Sequence, residues 1–157
     1  MRWYALLRVA HSYWQWVVLV TAAITLARAM AGAFGARDWT NADQRAARVF
    51  ISAVDVQLLI GIVLYFGFSP FWTATYESFS ETMREQGARF FGVEHQAAML
   101  MATAVAHIGW VRAKRAAPCL ARHRIMRTTL LVFLAFVLWA IPWPWRPYGR
   151  PFFRTTW

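Results

Sequence analysis

The stretch VEHQAAMLMATAVAHIGW, Val93 to Trp110, is apolar apart from a carboxylate and two imidazoles, Glu94, His95 and His107. Ionisable groups are costly at membrane depth, so in an apolar helix they point to a site by default. An imidazole can ligate a metal, relay a proton or bond a carbonyl. His11, in HSYWQW, is the histidine best matched to His95. Each lies a few residues inside the same end of its apolar run, several ångströms below the surface at about 1.5 Å per residue. Near the other end, Asp55 in VFISAVDVQLLIG matches His107 in depth. A carboxylate at that depth should face the bundle interior and be paired, with His107, Arg28, Arg48 or Arg127 as candidates.

Four apolar runs must position these groups: Leu6 to Ala27, Val49 to Phe68, Phe90 to Val111, and Thr128 to Trp143. Each approaches the roughly 20 residues that a helix needs to cross the hydrocarbon core. The composition agrees: 59% of residues are hydrophobic, 17% aromatic and only 15% charged, with mean hydropathy +0.35. Segments of this length between charged loops read as spanning helices rather than strands. The expected fold is an all-α integral membrane protein, one domain over residues 1–157, with four transmembrane helices in a bundle.

The basic residues set the orientation. Ten of the seventeen Lys and Arg fall in the first and third loops, at Arg28, Arg37, Arg45, Arg48, Arg112, Lys114, Arg115, Arg122, Arg124 and Arg127. The positive-inside rule then puts both termini outside and the two basic loops in the cytoplasm. The net charge of +10 is mainly a topology signal, and it is too dispersed among short loops for a nucleic-acid surface. The N-terminal run is too long and too polar at His11 and Gln15 for a signal peptide, so it reads as a retained helix. The lone cysteine, Cys119, falls in a basic cytoplasmic loop. The sequence has no CxxCH, Walker loop, GxGxxG, HExxH or nucleophile elbow.

Between the second and third runs, Trp72, Tyr76, Phe79 and Met83 recur at helical spacing. They predict a short amphipathic helix in the outer interface, with Pro70 in its first turn and Gly87 at its end. The C-terminal IPWPWRPYGRPFFRTTW reads as an aromatic anchor in the headgroup zone, or else as a cap over an outer site.

Below His95 the stripe Ala98, Met99, Ala102, Ala106 stays on one face, and below His11 the stripe is Gln15, Val18, Ala22, Thr25. Small residues beneath two level imidazoles leave room for a flat porphyrin, which bis-imidazole ligation of haem b between helices requires. Glu94 could support that site or carry a proton. The same small residues also suit close helix packing. His107 lies about 120° out of phase with His95, which disfavours a second haem on that face and suits a structural or proton-handling pair with Asp55. His123 is expected to be solvated. A copper site from His11, His95 and Met99 or Met101 is a further reading.

HSYWQW, VQLLIGIVLYF, FFGVEHQAAML and IPWPWRPYGRPFF, in that order, resemble a small four-helix bacterial membrane family labelled "cytochrome B". The resemblance covers most of the chain and implies a b-type cytochrome or a subunit derived from one, with His11 and His95 as candidate ligands. Where that family often has a His before the VQLL or IQLL segment, this chain has Asp55, which argues against a haem using that helix. Three readings follow: a haem-b electron carrier linked to quinone or a partner complex, a cofactor-free accessory subunit of a larger membrane complex, and a metal-binding membrane protein.

Overall fold

The computed structural model describes residues 2–153; the last residues of the C-terminal aromatic stretch, 154–157, lie outside them. Among the described residues every regular element is helical. The order is α1 (Arg2–Phe34), α2 (Asn41–Phe68), α3 (Pro70–Glu77), α4 (Phe79–Arg84), α5 (Gln86–Arg89), a π-helical turn (Phe90–Glu94), α6 (His95–Arg115) and α7 (Cys119–Ala140). The long helices pack in a cycle: α1 on α2, α2 on α6, α6 on α7 and α7 on α1.

Of the four expected spans, α1, α2 and α7 are long and apolar enough to cross a membrane. The third run is not. Its helix, α6, carries His95, Gln96 and His107, ends in Arg112, Lys114 and Arg115, and has alanine at six of its other fifteen positions. Those alanines serve contact instead. Ala102, Ala106 and Ala113 are buried in the shared core with Phe133, Leu130 and Met126 of α7. At Gly109 an added Cβ would sit 2.0 Å from Thr129 Oγ1, so only glycine allows this approach. Small residues that let backbones close up are the usual packing device of helices in lipid.

One end of the cycle is fastened by Asp43. Thr40 caps α2, its hydroxyl accepting from the Asp43 amide while the Asp43 carboxylate accepts from the Thr40 amide at 2.8 Å. The same buried carboxylate takes Arg28 Nε at 2.9 Å and Arg37 Nη1 at 2.7 Å. The end of α1, the loop and the start of α2 thus share one buried anion, whose loss would strand two guanidiniums. Hydrogen bonding to Asp43 raises Arg37 above its ordinary pKa.

The segment expected as one amphipathic helix is three short helices, α3 to α5, broken at Ser78 and Glu85. Pro70 occupies the first turn of α3 as expected, capped by Ser69 Oγ. Gly87 lies inside α5 rather than at a helix end, because the Glu85 carboxylate restarts the helix by accepting from the Gly87 and Ala88 amides. Those two amides hold Glu85 below the usual carboxylate pKa range. Trp72, Tyr76, Phe79 and Met83 are all exposed, an outward apolar row of the kind an interface helix presents.

The fourth helix starts at Cys119, earlier than its apolar run, and stops at Ala140. Pro142 and Pro144 cannot donate to the carbonyls four residues back, so the helix ends there. The chain then folds back in turns, with Arg150 N donating to Pro142 O at 2.8 Å.

Candidate functional site

His11 on α1 and His95 on α6 face each other, ring centroids 6.3 Å apart and planes at 72°. Two imidazoles bound trans to one metal ion, each nitrogen at about 2 Å, would have centroids about 6 Å apart. His95 Nδ1 lies 2.9 Å from the Ala140 carbonyl. A carbonyl only accepts, so Nδ1 carries the proton and Nε2 is left with its lone pair. The Ala140 carbonyl is available because the residue four positions on is Pro144.

His11 is held from α2. Gln57 Nε2 donates to the His11 carbonyl at 3.1 Å and lies 3.3 Å from His11 Nε2. With an amide nitrogen opposite, Nε2 is the accepting nitrogen. An added Cβ at Gly61 would meet His11 Cε1 at 3.2 Å, so the ring lies against glycine. Gln57 and Gly61, four residues apart in VQLLIG, share a helix face; that spacing was the available signal for this pocket wall. Gln57 Oε1 is buried without a hydrogen-bond partner among the described residues.

Both histidines line a cavity of about 290 Å³, at the lower end for small-molecule pockets. Its walls are apolar at Leu58, Phe133 and Val137, with Gln15, Gln57 and Gln96 set among them. The C-terminal segment helps to close it, through Ile141 to Pro144 and Arg150 to Phe152. Trp16 stacks on Phe153 at 5.7 Å, and Phe90 stacks on Tyr148 at 4.2 Å. Of the two readings of this segment, the cap therefore has a structural counterpart. Ahead of His95, the π-helical turn directs the Gly92 carbonyl to the Tyr65 hydroxyl; such turns recur beside functional residues.

Other expected positions divide. Of Ala98, Ala102 and Ala106, only Ala102 borders the cavity; the other two are buried away from it. With Met99, half of that stripe borders the cavity and half is buried elsewhere. Glu94 bonds Arg89 at 2.7 Å rather than His95. Met99 lines the cavity, whereas Met101 is exposed and outside it. Asp55 is paired with His107, Oδ1 to Nε2 at 2.7 Å, but the side chains are 52% and 43% exposed. The pair lies on the outside of the α2–α6 seam, not inside the bundle. His123, expected in solvent, is fully buried. Its ring fills the hollow over Gly32, lies tilted against Trp39 with centroids 4.9 Å apart, and brings Nε2 to 3.4 Å from the Asp38 carbonyl.

Among the described residues no group of three or more His, Cys, Asp or Glu could hold a metal ion. Two imidazoles alone are a sparse site for a bare ion, but they suit a metal already held by four nitrogens of a macrocycle. In number, spacing and tautomer the pair fits haem b. The rings meet edge to face at 72°, and His11 Nε2 is turned to Gln57, so His11 would have to turn before both lone pairs met one metal. No family model, curated protein or solved structure matches the chain.

Proposed function

We propose that this chain is a b-type cytochrome-like protein of the bacterial cytoplasmic membrane, with His11 and His95 as axial ligands of one haem b between α1 and α6. The facing imidazoles, with His95 already fixed as the Nδ1–H tautomer, carry this reading. A haem held there supplies one-electron exchange with a quinone or a partner complex. The chain's own part is to present two lone pairs, exclude water with the C-terminal cap, and offer Gln57 as the group that releases His11. The visible spectrum of the purified protein tests the reading. A dithionite-reduced α-band of the low-spin b type is expected. A colourless protein that holds copper would favour a metal site of His11, His95 and Met99 instead.

Four crossings, by α1, α2, α6 and α7, are supported by where the ends meet. Tyr4 and Arg8, near the start of α1, line one cavity with Arg150 and Phe152, which supports both termini lying at one end of the cycle and an even number of crossings. The excess of Lys and Arg at the opposite end places the termini outside. In intact cells Cys119 should therefore resist membrane-impermeant maleimide and react in inverted vesicles, while a C-terminal tag is accessible outside. The reverse pattern would overturn the orientation.

A second reading is favoured by the Asp55–His107 pair. Groups half exposed at mid-helix depth are unfavourable against lipid, and a neighbouring subunit would cover them. On that reading the chain is an accessory subunit of a larger membrane complex, and a colourless, metal-free protein that co-purifies with larger subunits would favour it.

A further inference from the structure

The cavity's rim carries charge of one sign. Arg8 and Arg150 line it, and no Asp or Glu does. The ion-paired arginines among the described residues are Arg28, Arg37 and Arg89, so neither rim guanidinium has a carboxylate. Arg89, close in sequence to His95, is neutralised by Glu94 at 2.7 Å; among the described residues the two rim arginines have no such neighbour. Each instead rests on an aromatic ring of the same rim, Arg8 5.1 Å from the Tyr4 centroid and Arg150 4.9 Å from the Phe91 centroid. Arg8 stands three residues before His11, one turn nearer the helix end on the same face. Arg150 comes from the folded-back C-terminal segment, where its own amide donates to the Pro142 carbonyl. Two unneutralised guanidiniums above an apolar cavity suit an amphiphile with acid groups at one end, because the planar fork matches carboxylate and phosphate oxygens.

We infer that Arg8 and Arg150 are the seat for the acid groups of an amphiphile whose apolar body occupies the cavity. Resting on the haem reading above, those acid groups are the two propionate carboxylates of the porphyrin. A phosphate of an anionic phospholipid offers the same chemistry from a second source. Seating the acids at the rim keeps the anions near water while the ring enters between His11 and His95, which gives a flat, nearly symmetric ligand one direction of entry. The arginines act as binding and orienting groups, and the histidines alone touch the metal.

The test uses the full-length purified chain, stripped of haem and titrated with haem b or its dimethyl ester, which has no propionate charge. The wild type should bind haem about tenfold more tightly than the ester. Arg8→Gln and Arg150→Gln should each weaken haem and leave the ester unchanged, and the double variant should bind the two equally, both as low-spin complexes. A parallel arm measures phosphatidylglycerol retained against phosphatidylcholine in nanodiscs of mixed composition. A wild type that does not discriminate haem from ester, but retains phosphatidylglycerol through Arg8 and Arg150, keeps the seat and assigns it to lipid. Variants that weaken haem and ester equally, with no change in lipid retention, overturn the seat. Failure of the haem reading itself shows separately, as no His95-dependent low-spin spectrum with either porphyrin.

Discussion

His95→Ala should remove the low-spin spectrum and lower haem affinity by more than about a hundredfold, a larger loss than the 10- to 100-fold typical of residues that only support a ligand. On the proposed reading His95 is the ligand held ready, its Nδ1 proton bonded to the Ala140 carbonyl. The alanine variant also leaves that carbonyl unpaired, a structural cost of about 1–3 kcal/mol. His95→Asn separates the two effects: its amide can donate to Ala140, yet it is a poor axial ligand, so folding should survive while the spectrum is lost. His11→Ala should leave a five-coordinate, high-spin haem. Gln57→Leu should do the opposite of a damaging change. It removes the amide 3.3 Å from His11 Nε2 and should hold or raise haem affinity, because His11 no longer has to leave a partner. His107→Ala, outside the cavity, should leave the spectrum as it was. A wild type that carries haem and keeps its low-spin spectrum in both His11→Ala and His95→Ala would sink the ligation.

The helices were legible because their cause is local. Long apolar runs bounded by charged loops form helices wherever they lie, and α1, α2 and α7 each cover most of such a run while extending several residues beyond it at one or both ends. The pairing of His11 with His95 was legible for a related reason, since equal depth on two helices is a matter of counting from one surface. What escaped depended on contacts far apart in the chain. The burial of His123 needs the hollow at Gly32, on another helix, and nothing beside His123 in the sequence marks it. The alanines below His95 suit either a macrocycle or a neighbouring helix, and sequence alone cannot say that α7 takes Ala106 while the cavity keeps Ala102. The breaks at Ser78 and Glu85 turn on side chains capping their own backbone, a competition that apolar periodicity does not register. Nothing in the sequence joins Arg8 to Arg150; the folded-back C-terminal segment brings both to one cavity.

The Asp55–His107 pair should show its membrane setting through an asymmetry. In nanodiscs, His107→Leu leaves a carboxylate at mid-helix depth with nothing to accept from; it must take up a proton or draw in water, and the cost should be about 3 kcal/mol. Asp55→Leu leaves an imidazole, which is stable as a neutral group, so the loss should be nearer the value of one hydrogen bond, about 1 kcal/mol. Asp55→Leu with His107→Leu removes both polar groups and should recover most of the larger loss, since two well-placed apolar groups replace an ion pair at little cost. The pair is half exposed, so the same variants in a water-rich detergent should differ from wild type by much less. Unfolding free energies of the three variants in the two settings decide the matter. Losses that simply add in the double variant would mean that Asp55 and His107 are not coupled. If instead the double variant is as stable as wild type but no longer co-purifies with a larger assembly, the pair serves as a polar contact for a neighbouring subunit, and the half-exposed seam between α2 and α6 is where that subunit binds.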